Sequence, residues 1–135
     1  KGVGQAHQFV AFAVNHPAQI AVAEAFKLPS SYYEDTRELY TVKRDLMMQG
    51  IKAAGMNALT PEGTYFVMAD FSPIFDGDDV AFAKHAIETV GVATIPPTFF
   101  YSDAHKHMAR TQIRFAFCKG DDTLQIAAER LARLR

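Results

Sequence analysis

Apolar residues recur at helical spacing in two stretches of the first half of the chain. From Pro17, which suits a first helical turn, apolar residues repeat as far as Phe26 with good helix formers between them. The segment from about Ser31 to Ala54 is the longest predicted helix, and Gly55 is suited to the left-handed cap that ends it. The apolar face of this helix is predicted to be Leu39, Val42, Leu46 and Met47.

Two further helices are predicted where loops end in capping residues. Asp76-Gly77-Asp78-Asp79 leads into a helix over 79–90 that Gly91 ends, and Asp121-Asp122 is predicted to cap the last helix. The buried side of the first of these helices is predicted to be Val80, Ala83, Ile87 and Val90. The buried stripe of the last helix is predicted to be Leu124, Ala127, Ala128, Leu131 and Leu134.

Strand-forming residues occupy four short segments. They predict strands at Met56–Leu59, Thr64–Ala69 and Val92–Ile95. Thr111–Cys118 alternates cleanly between two faces, with Ile113, Phe115 and Phe117 on one and Gln112, Arg114, Ala116 and Cys118 on the other. Residues 1–16 have no regular period, and 98–110 is predicted to be a loop. This order of elements predicts a small mixed or antiparallel sheet covered by helices, an α/β or α+β fold.

Composition and charge narrow the possible functions. The chain has 135 residues, enough for one domain, and 14 basic against 15 acidic residues give a net charge of -1. A protein that tracks a nucleic-acid backbone needs a basic excess, so no nucleic-acid partner is expected. The single cysteine, Cys118, cannot form an internal disulfide and is expected to be a buried, inert thiol.

The expected location is the cytoplasm, without a membrane partner. No apolar run approaches the roughly 20 residues of a membrane-spanning helix, and no signal peptide is visible. The chain opens at Lys1 rather than at a methionine, which is consistent with a fragment of a longer protein.

Arg114 is the strongest candidate for a ligand-binding residue. Its neighbours on the same face of the strand, Ala116 and Cys118, are small and leave space in front of a guanidinium group. Such a group suits a planar anion held by two parallel hydrogen bonds. The alternative is an arginine at a sheet edge that is solvated or paired with a nearby carboxylate.

Other candidate residues carry weaker signals. His105 and His107 have alternate spacing, but no cysteine or carboxylate close by in sequence completes a metal shell, and no metal site is expected. The consecutive aromatic residues 99–101 cannot all face one core, so one or two of them are expected to line a pocket. Phe100 and Tyr101 are therefore candidate substrate-binding residues.

Several segments together resemble the later part of class I pyridoxal-phosphate-dependent aminotransferases, in the branch of the kynurenine, glutamine-phenylpyruvate and methionine enzymes. The resemblance covers nearly the whole chain with consistent order and spacing. It is carried by His7-Gln8-Phe9, Asn15-His16-Pro17-Ala18-Gln19, Pro61-Glu62-Gly63-Thr64-Tyr65-Phe66, Gly91-Val92-Ala93-Thr94-Ile95-Pro96, Phe100-Tyr101-Ser102 and Ile113-Arg114-Phe115-Ala116-Phe117-Cys118-Lys119.

The resemblance implies roles for two residues and for the chain as a whole. Arg114 matches the arginine that pairs with the α-carboxylate of the amino acid, and Phe12 matches an aromatic residue that reaches toward the active site of the neighbouring subunit in a homodimer. No lysine of the chain matches the one that holds pyridoxal 5'-phosphate, so neither a catalytic nor a cofactor-binding residue is expected here. Residues 1–30 would be an end piece of the large domain. Residues 31–135 would be the connecting helix and the C-terminal small domain of an aspartate-aminotransferase-like fold.

The function implied for the full-length enzyme is transfer of an amino group from an L-amino acid to a 2-oxo acid. The apolar and aromatic residues around Phe12 and Phe99–Tyr101 suggest a hydrophobic, aromatic or sulfur-containing substrate of the kynurenine, methionine or glutamine type. The isolated chain is expected to be inactive because it lacks the cofactor lysine. The alternatives are a stand-alone ligand-binding or interaction domain without catalysis, and carbon–sulfur β-lyase activity of the full enzyme.

Overall fold

The computed structural model describes residues 2–134, which form five α-helices and three β-strands. Two compact units divide between Thr36 and Arg37, within the third helix. None of the helices among the described residues is long and apolar enough to cross a membrane. The helices are α1 (Gly2–Val10), α2 (His16–Ala25), α3 (Ser30–Ala53), α4 (Asp79–Val90) and α5 (Asp121–Leu131), and the strands are β1 (Asn57–Leu59), β2 (Phe66–Asp70) and β3 (Gln112–Ala116).

The first unit is built around α1 and α2. The Asn15 side chain accepts a hydrogen bond from the Ala18 backbone N–H at 3.0 Å and so caps α2, with Pro17 in the first turn. Neither helix buries any residue, and Phe9 and Phe26 are exposed. The sequence pattern missed α1, because a helix with no buried face need not repeat its apolar residues at helical spacing.

The long helix α3 was predicted with nearly correct ends, and Gly55 follows it in the left-handed conformation at φ 89°. Its predicted apolar face was wrong in the first half of the helix, where Leu39 and Val42 are exposed. The buried residues of α3 begin at Met47 and continue through Gly50 and Ile51. Before Met47, Tyr40 and Leu46 are partly buried against the core, whereas Leu39 and Val42 lie on the solvent side of the helix.

The sheet is antiparallel, with strands in the order β1-β2-β3. Its three strands lie close to predicted segments, but the fourth predicted strand, Val92–Ile95, was wrong. Only Ile95 pairs, in an isolated bridge in which its N–H and C=O exchange hydrogen bonds of 3.0 and 3.1 Å with Arg114. The Val92 N–H instead bonds back to the Ala86 carbonyl at 3.3 Å, as part of the cap of α4. The start of the segment therefore belongs to a helix end and not to the sheet.

Helix α4 has the predicted bounds, but it turns a different face to the core. Asp78 caps it by accepting a hydrogen bond from the Ala81 N–H at 2.8 Å, and Gly91 follows at φ 67°. Its buried apolar residues are Phe82, Ala83 and Ala86, while the predicted Ile87 is exposed. Phe82 stacks on Phe71 with ring centroids 4.3 Å apart, and burying this large ring rotates the helix away from the predicted face.

The last helix, α5, packs as predicted: Leu124, Ala128, Leu131 and Leu134 are buried. Its predicted cap was wrong, because Gly120 occupies the N-cap position without a side-chain hydrogen bond and Asp121 and Asp122 lie in the first turn. Asp121 instead forms an ion pair of 2.8 Å with Lys43 of α3. The predicted loop over 98–110 contains two short 3₁₀ helices, Pro97–Phe100 and Asp103–Met108.

Helices α3 and α5 approach each other closely at Gly50. A Cβ atom added there would lie 2.6 Å from the Ala128 Cα and 2.9 Å from the Ala128 Cβ. These distances are shorter than van der Waals contact, and one of the opposing atoms belongs to the backbone. Gly50 is therefore required by packing between the two helices.

We expect Gly50→Ala to lower the free energy of unfolding by about 1–3 kcal/mol, because the helices must separate to admit the methyl group. Thermal or denaturant unfolding measures the change. Gly4→Ala is the control, since a Cβ at Gly4 of α1 meets nothing within 4 Å. There the alanine should be neutral or raise stability through its higher helix propensity. Equal effects of the two substitutions would contradict close packing at Gly50.

Candidate functional site

The alternation of β3 decides where Arg114 lies. Ile113 and Phe115 are buried in the core, so Arg114 between them projects from the opposite face, where it is half-buried. The antiparallel register puts Met68 of β2 directly opposite Arg114 and pairs Phe66 with Ala116. Phe66 is thus the diagonal neighbour of Arg114 on the same face, within reach of a long side chain.

Two aromatic rings lie close to the guanidinium group of Arg114. Its Cζ atom is 4.4 Å from the centroid of the Phe66 ring and 5.8 Å from that of Phe100. Both distances are in the range of cation–π attraction. The rings hold the group in place without using its N–H donors.

Within residues 2–134, the side chain of Arg114 donates no hydrogen bond to the protein. Its Nε atom is buried and has no hydrogen-bond partner, and within residues 2–134 the side chain forms no ion pair with a carboxylate. Buried polar groups in proteins are nearly always hydrogen-bonded, and an exception calls for an explanation. The alternative of an arginine paired with a nearby carboxylate is wrong for the described part of the chain.

A cavity of about 570 Å³ opens beside Arg114, between the segment from Gly91 to Ile95, β3 and α5. Lys119 and Arg130 also line it, and its described lining residues include no aspartate or glutamate. Thr94, another lining residue, has a buried hydroxyl oxygen without a hydrogen-bond partner. Three cationic side chains, with no carboxylate among the described lining residues, give the cavity a lining that suits an anion.

Of the aromatic candidates Phe100 and Tyr101, Phe100 has its ring close to the guanidinium group of Arg114. Phe100 faces the guanidinium group although 69% of the residue is exposed, and Tyr101 is exposed as well. Among the described residues, neither lines the cavity next to Arg114. Their role in substrate binding stays a prediction.

A buried carboxylate fixes the segment that carries Phe100. Asp79, the first residue of α4, is 1% exposed and accepts hydrogen bonds from the Thr98 N–H at 2.8 Å and the Thr98 hydroxyl at 3.0 Å. The sequence pattern did not single out this pair. The only signal of this pair in the sequence was the doublet Asp78-Asp79 at the start of α4, where one aspartate is enough to cap the helix.

Phe12 belongs to the first unit and follows α1. It is 89% exposed, and its φ of 45° lies in the left-handed region that residues other than glycine seldom adopt. An exposed aromatic ring on such a backbone is a typical contact residue. Its predicted approach to a neighbouring active site stays a prediction.

The remaining candidates form no site of their own. His105 and His107 are exposed, and the His105 Nδ1 lies 2.8 Å from the Ser102 Oγ. In the part of the chain that the structure describes, no group of three or more His, Cys, Asp or Glu side chains could hold a metal ion. Cys118 was expected to be buried but is exposed, because β3 ends at Ala116 and the described structure does not cover the thiol.

Comparisons with known proteins agree with these features. The family described as "Aminotransferase class I and II" matches residues 3–131. A kynurenine–oxoglutarate transaminase of Dictyostelium discoideum is 36% identical over 151 residues, which cover 98% of this chain and 35% of the relative. A methionine aminotransferase of Escherichia coli is 36% identical over 132 residues, which cover 98% of this chain and 33% of the relative.

The predicted fold is also confirmed by a solved structure. The N-succinyldiaminopimelate aminotransferase of Mycobacterium tuberculosis superposes with a TM-score of 0.80 at 34% identity, over 99% of this chain and 34% of that one. The chain therefore spans about a third of the length of the relatives that it matches. Its match to the family covers nearly all its residues in both sequence and fold, and on that ground the chain belongs to the class I and II aminotransferases.

Proposed function

We propose that this chain is the C-terminal part of a pyridoxal-phosphate-dependent aminotransferase, in which Arg114 binds the α-carboxylate of the substrate. The full-length enzyme would move an amino group from an L-amino acid to a 2-oxo acid. The observation that carries the proposal is the guanidinium group of Arg114, which has no carboxylate partner among the described residues and lies beside a cavity whose described lining has no acidic side chain, in a member of this family.

The geometry of Arg114 supports its role as a carboxylate ligand. Phe66 lies against the guanidinium group, and the group can offer two parallel N–H donors to a planar anion. A charge-assisted pair of this kind contributes about 1.5–3 kcal/mol. It would fix one end of the amino acid, and thereby which face of the Cα atom meets the reactive groups.

The rings near Arg114 support a hydrophobic, aromatic or sulfur-containing substrate. The rings of Phe66 and Phe100 both lie within about 6 Å of the guanidinium group, so a ligand held by Arg114 would have apolar surface next to it. Relatives that act on kynurenine and methionine by their names belong to this range. Carbon–sulfur β-lyase activity of the full enzyme is tested separately, with a cysteine S-conjugate whose sulfur leaves from the β carbon.

The residues of this chain do not fit pyridoxal phosphate by themselves. A protein that holds this cofactor provides a lysine for the Schiff base and a partner for the pyridine nitrogen, often an aspartate. Lys27, Lys43 and Lys106 are engaged in ion pairs with Glu24, Asp121 and Asp103, and the cavity beside Arg114 has no carboxylate among its described lining residues. When bound elsewhere in the full-length enzyme, the cofactor would supply the electron sink.

The proposal extends to the organisation of the full-length enzyme. Residues 1–30 would belong to the large domain and 31–135 to the connecting helix and the small domain, with residues 1 and 135 outside the described structure. Exposed Phe9, Phe12 and Phe26 support a further surface that covers the first unit, as in a homodimer. A cytoplasmic location of the enzyme stays a prediction.

In the full-length enzyme, Arg114→Lys should lower kcat/KM for every amino acid substrate about 10- to 100-fold. The reason is that an ammonium group cannot reproduce two parallel hydrogen bonds. Steady-state transamination with kynurenine, methionine, glutamine and phenylalanine as donors measures the effect. Arg133→Lys, in the exposed turn after α5, is the control and should leave kcat/KM unchanged. Wild-type-like kinetics of Arg114→Lys would contradict the assignment.

In the isolated chain, Arg114→Met should lower the free energy of unfolding by less than about 1 kcal/mol, or should raise it. The loss of cation–π attraction is offset by removal of a buried donor without a partner. Lys43→Met is the matched control, because Lys43 pairs with Asp121 and bonds to the Lys119 carbonyl. That substitution should lower stability by about 1–2 kcal/mol. A larger loss for Arg114→Met than for Lys43→Met would show a structural role for Arg114.

The isolated chain is expected neither to transaminate nor to bind pyridoxal phosphate at one lysine. Lys27, Lys43 and Lys106 are held in ion pairs, and Lys119 lines the cavity beside Arg114, whose described lining residues include no carboxylate for the pyridine nitrogen. Incubation with pyridoxal phosphate, borohydride reduction and peptide mapping measure this, and scattered low-level labelling is the expected result. Stoichiometric labelling of one lysine would instead favour a self-contained cofactor site and would count against the proposed role of this chain.

A further inference from the structure

The buried pair of Asp79 and Thr98 joins the second unit's core to the edge of the candidate site. Asp79 accepts both hydrogen bonds that Thr98 can donate, at 2.8 and 3.0 Å. Asp79 is 1% exposed and Thr98 is 8% exposed, so water does not compete for these bonds. As the first residue of α4, the carboxylate also lies at the positive end of the helix dipole, which stabilises it without a cationic partner.

The segment from Ile95 to Tyr101 is held at two points. Ile95 is bonded to the backbone of Arg114 through both its N–H and its C=O, at 3.0 and 3.1 Å. Thr98 is bonded to Asp79, and its own carbonyl accepts from the Tyr101 N–H at 3.1 Å to close a 3₁₀ turn. Phe100 lies inside that turn, so its backbone position is determined by these two anchors.

Phe100 has little contact of its own to hold it in place. With 69% of the residue exposed, its ring gains little from burial, yet its centroid lies 5.8 Å from the Arg114 Cζ. The distance between ring and guanidinium group is therefore determined by the backbone of the turn and not by side-chain packing. That distance limits how a carboxylate can approach the free donors of Arg114.

We propose that Asp79, acting through Thr98, is a positioning residue for substrate binding: it holds Phe100 at the guanidinium group of Arg114. This inference rests on the proposed function of Arg114 as the carboxylate ligand. Asp79 does not touch the substrate. Loss of the pair would let the turn shift, and a displacement of about 1 Å at a binding group is enough to weaken binding strongly.

The test uses the full-length holoenzyme and two readouts, which are steady-state kinetics with an amino acid and direct calorimetric binding of 3-phenylpropionate. This probe keeps a carboxylate and an aromatic ring and lacks the amino group. Asp79→Ala and Thr98→Val should raise KM and the Kd of 3-phenylpropionate on the order of tenfold, with a smaller change in kcat. Asp79→Asn and Thr98→Ser keep groups that can form both hydrogen bonds, and they should stay within about twofold of wild type.

The matched control is Asp78→Ala. Asp78 caps the same helix through the Ala81 N–H but does not contact Thr98, so its loss should lower Tm and leave KM and Kd unchanged. An equal rise of KM and Kd in Asp78→Ala would reduce Asp79 to a merely structural role and overturn the proposal. So would unchanged KM and Kd in Asp79→Ala. If that variant does not fold, Thr98→Val decides by the same criterion.

Failure of the proposed function gives a different result. A wild-type enzyme that binds 3-phenylpropionate but transaminates no amino acid would contradict the proposed function alone. The variants would then still test the positioning role through Kd. A wild-type protein that neither transaminates nor binds the probe would overturn both, because no carboxylate site would exist for Asp79 to position.

Discussion

The antiparallel pairing of β3 with β2 determines which face of the sheet carries Arg114 and Phe66. Side chains alternate along a strand, so burial of Ile113, Phe115 and Phe117 in the core leaves Arg114 on the opposite face. A register shift of one residue would bury the guanidinium group in the core and expose the aromatic rings. The free energy lost by burying an unpaired charge and exposing those rings would destabilise the fold. The free energy of apolar burial thus holds a polar functional group in register, although Arg114 itself contributes little to that burial.

Two charged side chains of this unit have opposite surroundings. Asp79 is buried more deeply than Arg114, yet hydrogen bonds from Thr98 and the start of α4 satisfy it. Arg114 is half-buried next to aromatic rings and has no carboxylate partner among the described residues. A charge whose partners are all within the protein serves the fold, whereas a charge that lacks them is available to a ligand. This contrast supports the proposed binding role of Arg114 without reference to relatives.

Much of the fold follows from the local pattern of apolar and polar residues. The elements that were predicted wrongly from this pattern have a few physical causes. The bounds of α4 were correct because Asp78 and Gly91 cap it, and the alternation of β3 and the stripe of α5 were correct because their residues repeat at the period of the element. Helix α1 was missed because it buries nothing, and the face of α4 was wrong because Phe82 takes the place next to Phe71. Val92–Ile95 has strand-forming residues, but the cap of α4 uses the Val92 N–H before a strand can begin.

The sequence alone determined the order of most elements, the two faces of β3, the candidate Arg114 and the resemblance to a family to which the chain does belong. These features depend on residues that are neighbours in the chain, or on motifs whose order along the chain matches that of a family. Only the tertiary structure decided that Leu39 and Val42 are exposed, that Phe66 lies against Arg114, and that Asp79 holds Thr98. Each of these depends on residues far apart in the chain, whose contacts arise from packing and leave no periodic trace in the sequence.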